Sequence, residues 1–99
     1  HGTPPTPLSV LDEIEKQWLA GVLASRETAY RLATLLRLGM GMTQLTCHPP
    51  ASLADQQTRW ETLIHSLELI RYTPNDSTLD EQWFGWVREW LRTMERTRG

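Results

Sequence analysis

The sequence predicts an all-α protein, a small antiparallel bundle of three to four helices. Apolar residues recur with a 3.6-residue period in four segments, and none of the chain alternates apolar and polar residues as a half-buried strand does. A residue type that caps helices precedes each segment. The 99 residues are enough for one domain, which we place at residues 8–99, after a proline-rich leader or linker end at residues 1–7.

The first two segments begin at serines. Ser9 and Ser25 are the predicted N-caps, and Gly39 or Gly41 is the predicted end of the second helix. The sequence leaves open whether the two helices are separate or form one helix kinked at Gly21. The predicted core stripes are Leu11, Ile14, Trp18 and Val22, then Ala29, Leu32, Ala33, Leu35, Leu36 and Met40.

The second half follows a loop at residues 43–50 that contains two adjacent prolines. Ser52 is the predicted cap of the third helix, residues 73–77 form a turn, and Thr78 opens a T-x-x-E capping box. The last helix is predicted to run to about Arg96. The core stripes are Leu53, Trp60, Leu63, Ile64, Leu67 and Ile70, then Leu79, Trp83, Val87, Trp90, Leu91 and Met94.

Composition excludes several classes of protein. With 39% hydrophobic residues and a net charge of −2, the chain is too apolar for a disordered tail and too acidic for strong non-specific attraction to nucleic acid. Its apolar runs are shorter than a membrane-spanning helix, so we expect no membrane contact. One cysteine and a bias towards arginine and leucine favour a cytoplasmic bacterial protein. Because the sequence starts at His1 rather than Met, we expect a processed product or a fragment of something longer.

The chain carries no motif that predicts catalysis. Cys47 and His48 are adjacent, without the spacing of zinc ligands, and His65 and Ser66 are neighbours on a helix that point in different directions. Gly39 and Gly41 follow a helix, whereas a phosphate-binding loop precedes one. We therefore predict a non-enzyme with no catalytic residue, no cofactor and no metal.

Five of the eight aromatic residues are tryptophans, and three of these lie in the last helix. The apolar arc of this helix spans ~160°, whereas covering one side of a bundle needs only about 100°. Trp86 and Phe84 lie at the two edges of the arc, and Arg88 and Arg92 share the helix. Tryptophan and arginine are enriched at interface hot spots, so these four residues are predicted to bind a partner. The alternative is that Trp86 and Phe84 fill the small core, because aromatic side chains are large.

A second apolar ridge follows the third helix on the side away from its stripe. His65, Leu69 and Tyr72 have i, i+4, i+7 spacing, and we add them to the predicted partner-binding set. The predicted function is a non-catalytic helical protein–protein interaction module. Its partner is another protein or the rest of its own parent chain, with homo-oligomerisation as a further expectation.

The alternative prediction is a DNA-associated domain with a helix-turn-helix-like segment around residues 18–37. Arg26, Thr28, Tyr30 and Arg31 resemble the start of a recognition helix, in which such side chains face the groove. Residues 25–42 carry three arginines against Glu27, which gives a local charge of only +2. The interaction module is therefore the favoured interpretation.

Overall fold

Helices form all of the regular secondary structure in residues 4–73 and 78–98, the ranges that the computed structural model describes. This confirms the all-α prediction. The elements are α1 (Pro7–Leu19), α2 (Ser25–Gly39), a 3₁₀ turn at Ala51–Gln56, α3 (Gln57–Tyr72) and α4 (Gln82–Arg98). Residues 1–3 of the predicted leader and residues 74–77 of the predicted turn lie outside the described ranges.

The first helix begins earlier than its predicted cap. Thr6 is the N-cap, its hydroxyl accepts the Ser9 backbone N–H at 3.1 Å, and the Ser9 hydroxyl donates back to the Thr6 carbonyl at 2.9 Å. Pro7 occupies the first turn, where its missing N–H costs nothing and its fixed φ suits the helix. The prediction of Ser9 as N-cap is therefore wrong by three residues.

A glycine in the left-handed region separates α1 from α2. Gly21 has φ 77°, and the Val22 N–H bonds to the Gln17 carbonyl at 2.9 Å, which closes the C-terminus of α1. Gly41 ends α2 in the same way, with φ 70°. Ser25 is the first residue of α2 rather than its cap, because Ala24 occupies the N-cap position. The two helices are therefore separate.

The last two helices also start later than predicted. Ser52 lies in the 3₁₀ turn and its hydroxyl contacts the Met94 sulfur at 3.1 Å, so it caps no α-helix. Thr78 likewise caps nothing, since Asp80 accepts the Gln82 backbone N–H at 3.0 Å and α4 begins there. In each case an apolar side chain, Leu53 or Leu79, is buried just before the helix and delays its start.

The core lies between α2 and the other three helices, and each of these three helices packs against α2. Two indoles in a tilted contact link α3 to α4, since Trp60 and Trp90 are buried with ring centroids 5.4 Å apart. The Trp60 indole donates to the Thr46 carbonyl at 2.8 Å, which ties the long loop to α3. Gly39 lets α4 approach α2, because a Cβ there would lie 2.5 Å from Leu91 Cδ2.

Candidate functional site

Phe84 belongs to the core and not to a binding surface. None of its side chain is exposed, and its ring packs on Trp18 of α1 with centroids 5.3 Å apart. The prediction that Phe84 anchors a partner is therefore wrong. The wide apolar arc of α4 has a structural explanation, because α1 covers one of its edges while α2 and the 3₁₀ turn cover the rest.

Trp86 lies at the other edge of the arc and is half-buried. Its ring packs beside Trp90 at 6.3 Å, and the Arg59 guanidinium lies over its indole at 5.5 Å. This cation–π contact occupies a face that a partner would need. Arg92 is exposed on the same helix.

Arg88 joins α4 to α1. Its guanidinium donates to Asp12 at 2.8 Å and to Glu15 at 2.6 Å. These hydrogen bonds, that to Asp12 first, raise the pKa of Arg88 above its ordinary value, while partial burial opposes the shift. Arg88 is thus committed to two intramolecular carboxylates, and the α4 set does not form one open surface.

The ridge that His65, Leu69 and Tyr72 form on α3, which we call the α3 ridge, is exposed, as its i, i+4, i+7 spacing predicts. Leu69 is 64% exposed and Tyr72 is 71% exposed. The Arg71 guanidinium lies between two tyrosines, 5.5 Å from the Tyr72 ring centroid and 5.8 Å from that of Tyr30 on α2. The ridge therefore continues onto α2, which the sequence did not indicate.

The candidate DNA-contacting residues are mostly engaged within the protein. Thr28 is fully buried and donates to the Ala24 carbonyl at 2.8 Å, so its prediction as a contact residue is wrong. Arg31 pairs with Glu27 at 3.0 Å, and Arg26 donates to the Thr73 carbonyl at 3.3 Å. Tyr30 is exposed and lies beside Arg71.

An apolar concavity lies between α1 and α2, and the sequence analysis did not predict it. This groove has a volume of about 460 Å³, and Leu38 at its edge is 62% exposed. It is lined by Val10, Ile14, Glu27, Tyr30, Arg31, Thr34, Leu35 and Leu38. We call it the α1/α2 groove. Its signal in the sequence is the i, i+4, i+8 row of Tyr30, Thr34 and Leu38 outside the core stripe.

A polar cavity of about 320 Å³ adjoins the groove on the other side of α2. Thr34 lines both cavities, so the two meet along one helix. Arg37 from α2 and Arg71 from α3 both line the polar cavity, together with Glu68. We call it the arginine pocket. The groove and the pocket together make the outer face of α2 the candidate functional site.

A thiol and an imidazole lie close together elsewhere, at the long loop. Cys47 Sγ lies 3.4 Å from His65 Nε2, although the sequence separates them by 18 residues. The carbonyl of Cys47 accepts a hydrogen bond from the Gln57 amide at 3.3 Å. Structural zinc sites use four ligands and catalytic sites three. No cluster of three or more candidate ligands occurs among residues 4–73 and 78–98.

Comparisons with protein-family models, curated proteins and solved structures found no match for this chain. Within the described parts of the chain, none of the helices has the length and apolar character needed to cross a bilayer.

Proposed function

We propose that this chain is a non-catalytic protein-interaction module. It binds an amphipathic segment of a partner protein along the outer face of α2. The observation that carries the proposal is the α1/α2 groove, whose lining is apolar apart from Thr34 and the Glu27–Arg31 ion pair. Grooves of this kind between helices accept the apolar face of an added helix.

The chemistry of the lining favours binding over bond-making. Val10, Ile14 and Leu35 line the groove, and the two charged residues neutralise each other at 3.0 Å. Such a surface excludes water from an apolar ligand, and the exposed Leu38 offers further area to cover. A protein segment fits better than a small molecule, because the neighbouring arginine pocket extends the concave surface across α2.

The proposal moves the predicted partner surface away from α4. Phe84 is buried and Arg88 is paired, whereas Tyr30, Leu38, Leu69 and Tyr72 remain exposed. The α3 ridge borders the arginine pocket through Tyr72 and extends the same face. A cytoplasmic bacterial setting is part of the proposal and rests on the arginine and leucine bias and the single cysteine.

The test is selection of binders from a random peptide library displayed on phage. The wild-type protein is the target, and the recovered peptides are then measured against single variants. Leu38→Asp places a charge in the groove at an exposed position, so the protein stays folded while peptide affinity falls at least about tenfold. Val22→Asp is the matched control, because Val22 is 72% exposed and lies outside the groove lining.

Three results would overturn the proposal. They are the recovery of no peptide, equal binding to the wild type and Leu38→Asp, and equal loss in both variants. Sedimentation of the free protein over a concentration series tests whether the groove binds a second copy of this chain instead of a partner protein. A dimer that Leu38→Asp dissociates would replace the partner protein with a second copy of this chain.

A further inference from the structure

We infer that the arginine pocket is a carboxylate-binding subsite, which receives an acidic group of the segment bound in the groove. The inference rests on the proposed function for its ligand, but the pocket has its own evidence. That evidence is an arginine with an unsatisfied donor, a second arginine in the same cavity, and neutral hydrogen-bonding side chains around them.

Arg71 is held in position but lacks a hydrogen-bond acceptor at one atom. Its guanidinium lies between the rings of Tyr30 and Tyr72, at 5.8 Å and 5.5 Å from their centroids. Its Nε is buried and has no hydrogen-bond partner. A buried N–H without an acceptor is unfavourable, and no carboxylate among the described residues pairs with Arg71 and competes with a ligand for its guanidinium.

Arg37 supplies the second positive charge. It lines the same cavity from α2, and among the described residues the arginine ion pairs are those of Arg31 and Arg88. Two guanidinium groups around one cavity suit a planar anion, because their N–H groups match the oxygens of a carboxylate. Thr34, Thr43 and Gln44 also line the pocket and add neutral donors.

Glu68 lowers the positive charge of the pocket but does not cancel it. It is the carboxylate among the residues lining the pocket, so two arginines and one glutamate leave a formal charge of +1. This charge attracts an anion, and the two guanidinium groups match the planar oxygens of a carboxylate. The anionic groups of an unmodified protein segment are carboxylates, so the pocket is assigned to a carboxylate.

The position of the pocket predicts the form of the ligand. Thr34 is shared with the α1/α2 groove, so a segment lying in the groove brings its next residues to Arg37 and Arg71. The recognised motif is an apolar face followed by a carboxylate. Either an Asp or Glu side chain or a free C-terminus supplies this group.

The first experiment tests the pocket without any peptide. The arginine Nε–H signals of the ¹⁵N-labelled protein are followed by NMR during titration with sodium acetate, sodium phosphate or sodium chloride at matched ionic strength. We expect a saturable shift of the Arg71 signal with acetate, a weaker response to phosphate and none to chloride. Arg37→Gln should abolish the acetate response, while Leu38→Asp should retain it. An acetate response equal to that of chloride overturns the inference, and tighter binding of phosphate overturns the carboxylate assignment.

The second experiment uses the peptides selected on the wild type. Arg37→Gln should weaken their binding at least about tenfold, and Arg96→Gln, at an exposed position of α4, should leave it unchanged. Replacing acidic residues of the peptide by amides, or amidating its C-terminus, identifies which carboxylate is bound. If neither change weakens binding, the subsite inference fails while the interaction module stands. If no peptide binds but the acetate response persists, the module fails and the subsite stands.

Discussion

Replacing Phe84 by alanine tests the packing of α4 against α1. The side chain is fully buried and packs against Trp18, so its removal loses both the transfer energy of the ring and the contacts around the resulting cavity. Core Phe→Ala substitutions cost about 3–5 kcal/mol. The free energy of unfolding of a domain of this size is roughly 5–15 kcal/mol. The variant therefore stays folded only if the wild-type value lies above the lower end of this range.

The matched variant is Trp86→Ala, two positions further along the same helix. The Trp86 ring is only partly buried, so we expect a smaller loss than for Phe84→Ala, roughly 1–3 kcal/mol. Phe84→Leu keeps most of the volume and should cost about 1 kcal/mol, which leaves a folded protein to measure.

Urea unfolding followed by circular dichroism at the helix band measures all three variants without relying on tryptophan fluorescence. The expected order of free energy of unfolding is Phe84→Ala lowest, then Trp86→Ala and Phe84→Leu, then the wild type. If Phe84→Ala lost less than about 1 kcal/mol, or less than Trp86→Ala, the assignment of Phe84 to the core would be refuted.

Further predictions concern glycines and the α1–α4 ion pairs. Gly39→Ala should lower the free energy of unfolding by about 1 kcal/mol, because its Cβ would press on the buried Leu91. Gly85→Ala should raise the free energy of unfolding by about 0.5–1 kcal/mol, since its Cβ would meet open space within a helix. Thermal unfolding measures both variants. If the two substitutions changed the stability in the same direction, the packing described here would be contradicted. Arg88→Gln should cost about 1–2 kcal/mol, and a double-mutant cycle with Glu15→Gln should show coupling in urea unfolding. A coupling energy near zero would show that the pair contributes nothing.

Most of the core could be predicted from periodicity. The predicted stripes of the second and third helices are buried at every position, from Ala29 to Met40 and from Leu53 to Ile70. Each of these helices packs one main apolar face against the rest of the bundle, so the 3.6-residue period of apolar residues is enough to identify its buried positions. Val22 is the exception in the first stripe, since α1 ends at Leu19 and leaves it exposed.

The errors arise where neighbouring elements decide the outcome. Phe84 lies at the edge of the apolar arc of α4, and its burial depends on α1, which the period of α4 does not reveal. Ser52 and Thr78 have the composition of caps, but the buried side chains of Leu53 and Leu79 delay the helices that follow. Local propensity was overridden by tertiary packing at these positions.

The candidate site combines residues that are distant in the sequence. The row formed by Tyr30, Thr34 and Leu38 is visible as a spacing, but the groove also needs α1. Arg37 and Arg71 are 34 positions apart, and nothing local indicates that they line one cavity. Cys47 and His65 are likewise distant in the sequence, and they lie together where Trp60 and Gln57 hold the loop against α3.

The most direct test of the central claim is chemical-shift mapping of a selected peptide on the ¹⁵N- and ¹³C-labelled protein. We expect the perturbed signals to cluster around the outer face of α2, at Tyr30 and Leu38 of α2, Val10 of α1 and Arg71 of α3. Perturbations that cluster instead at Trp86 and along α4, with α2 unchanged, would contradict it.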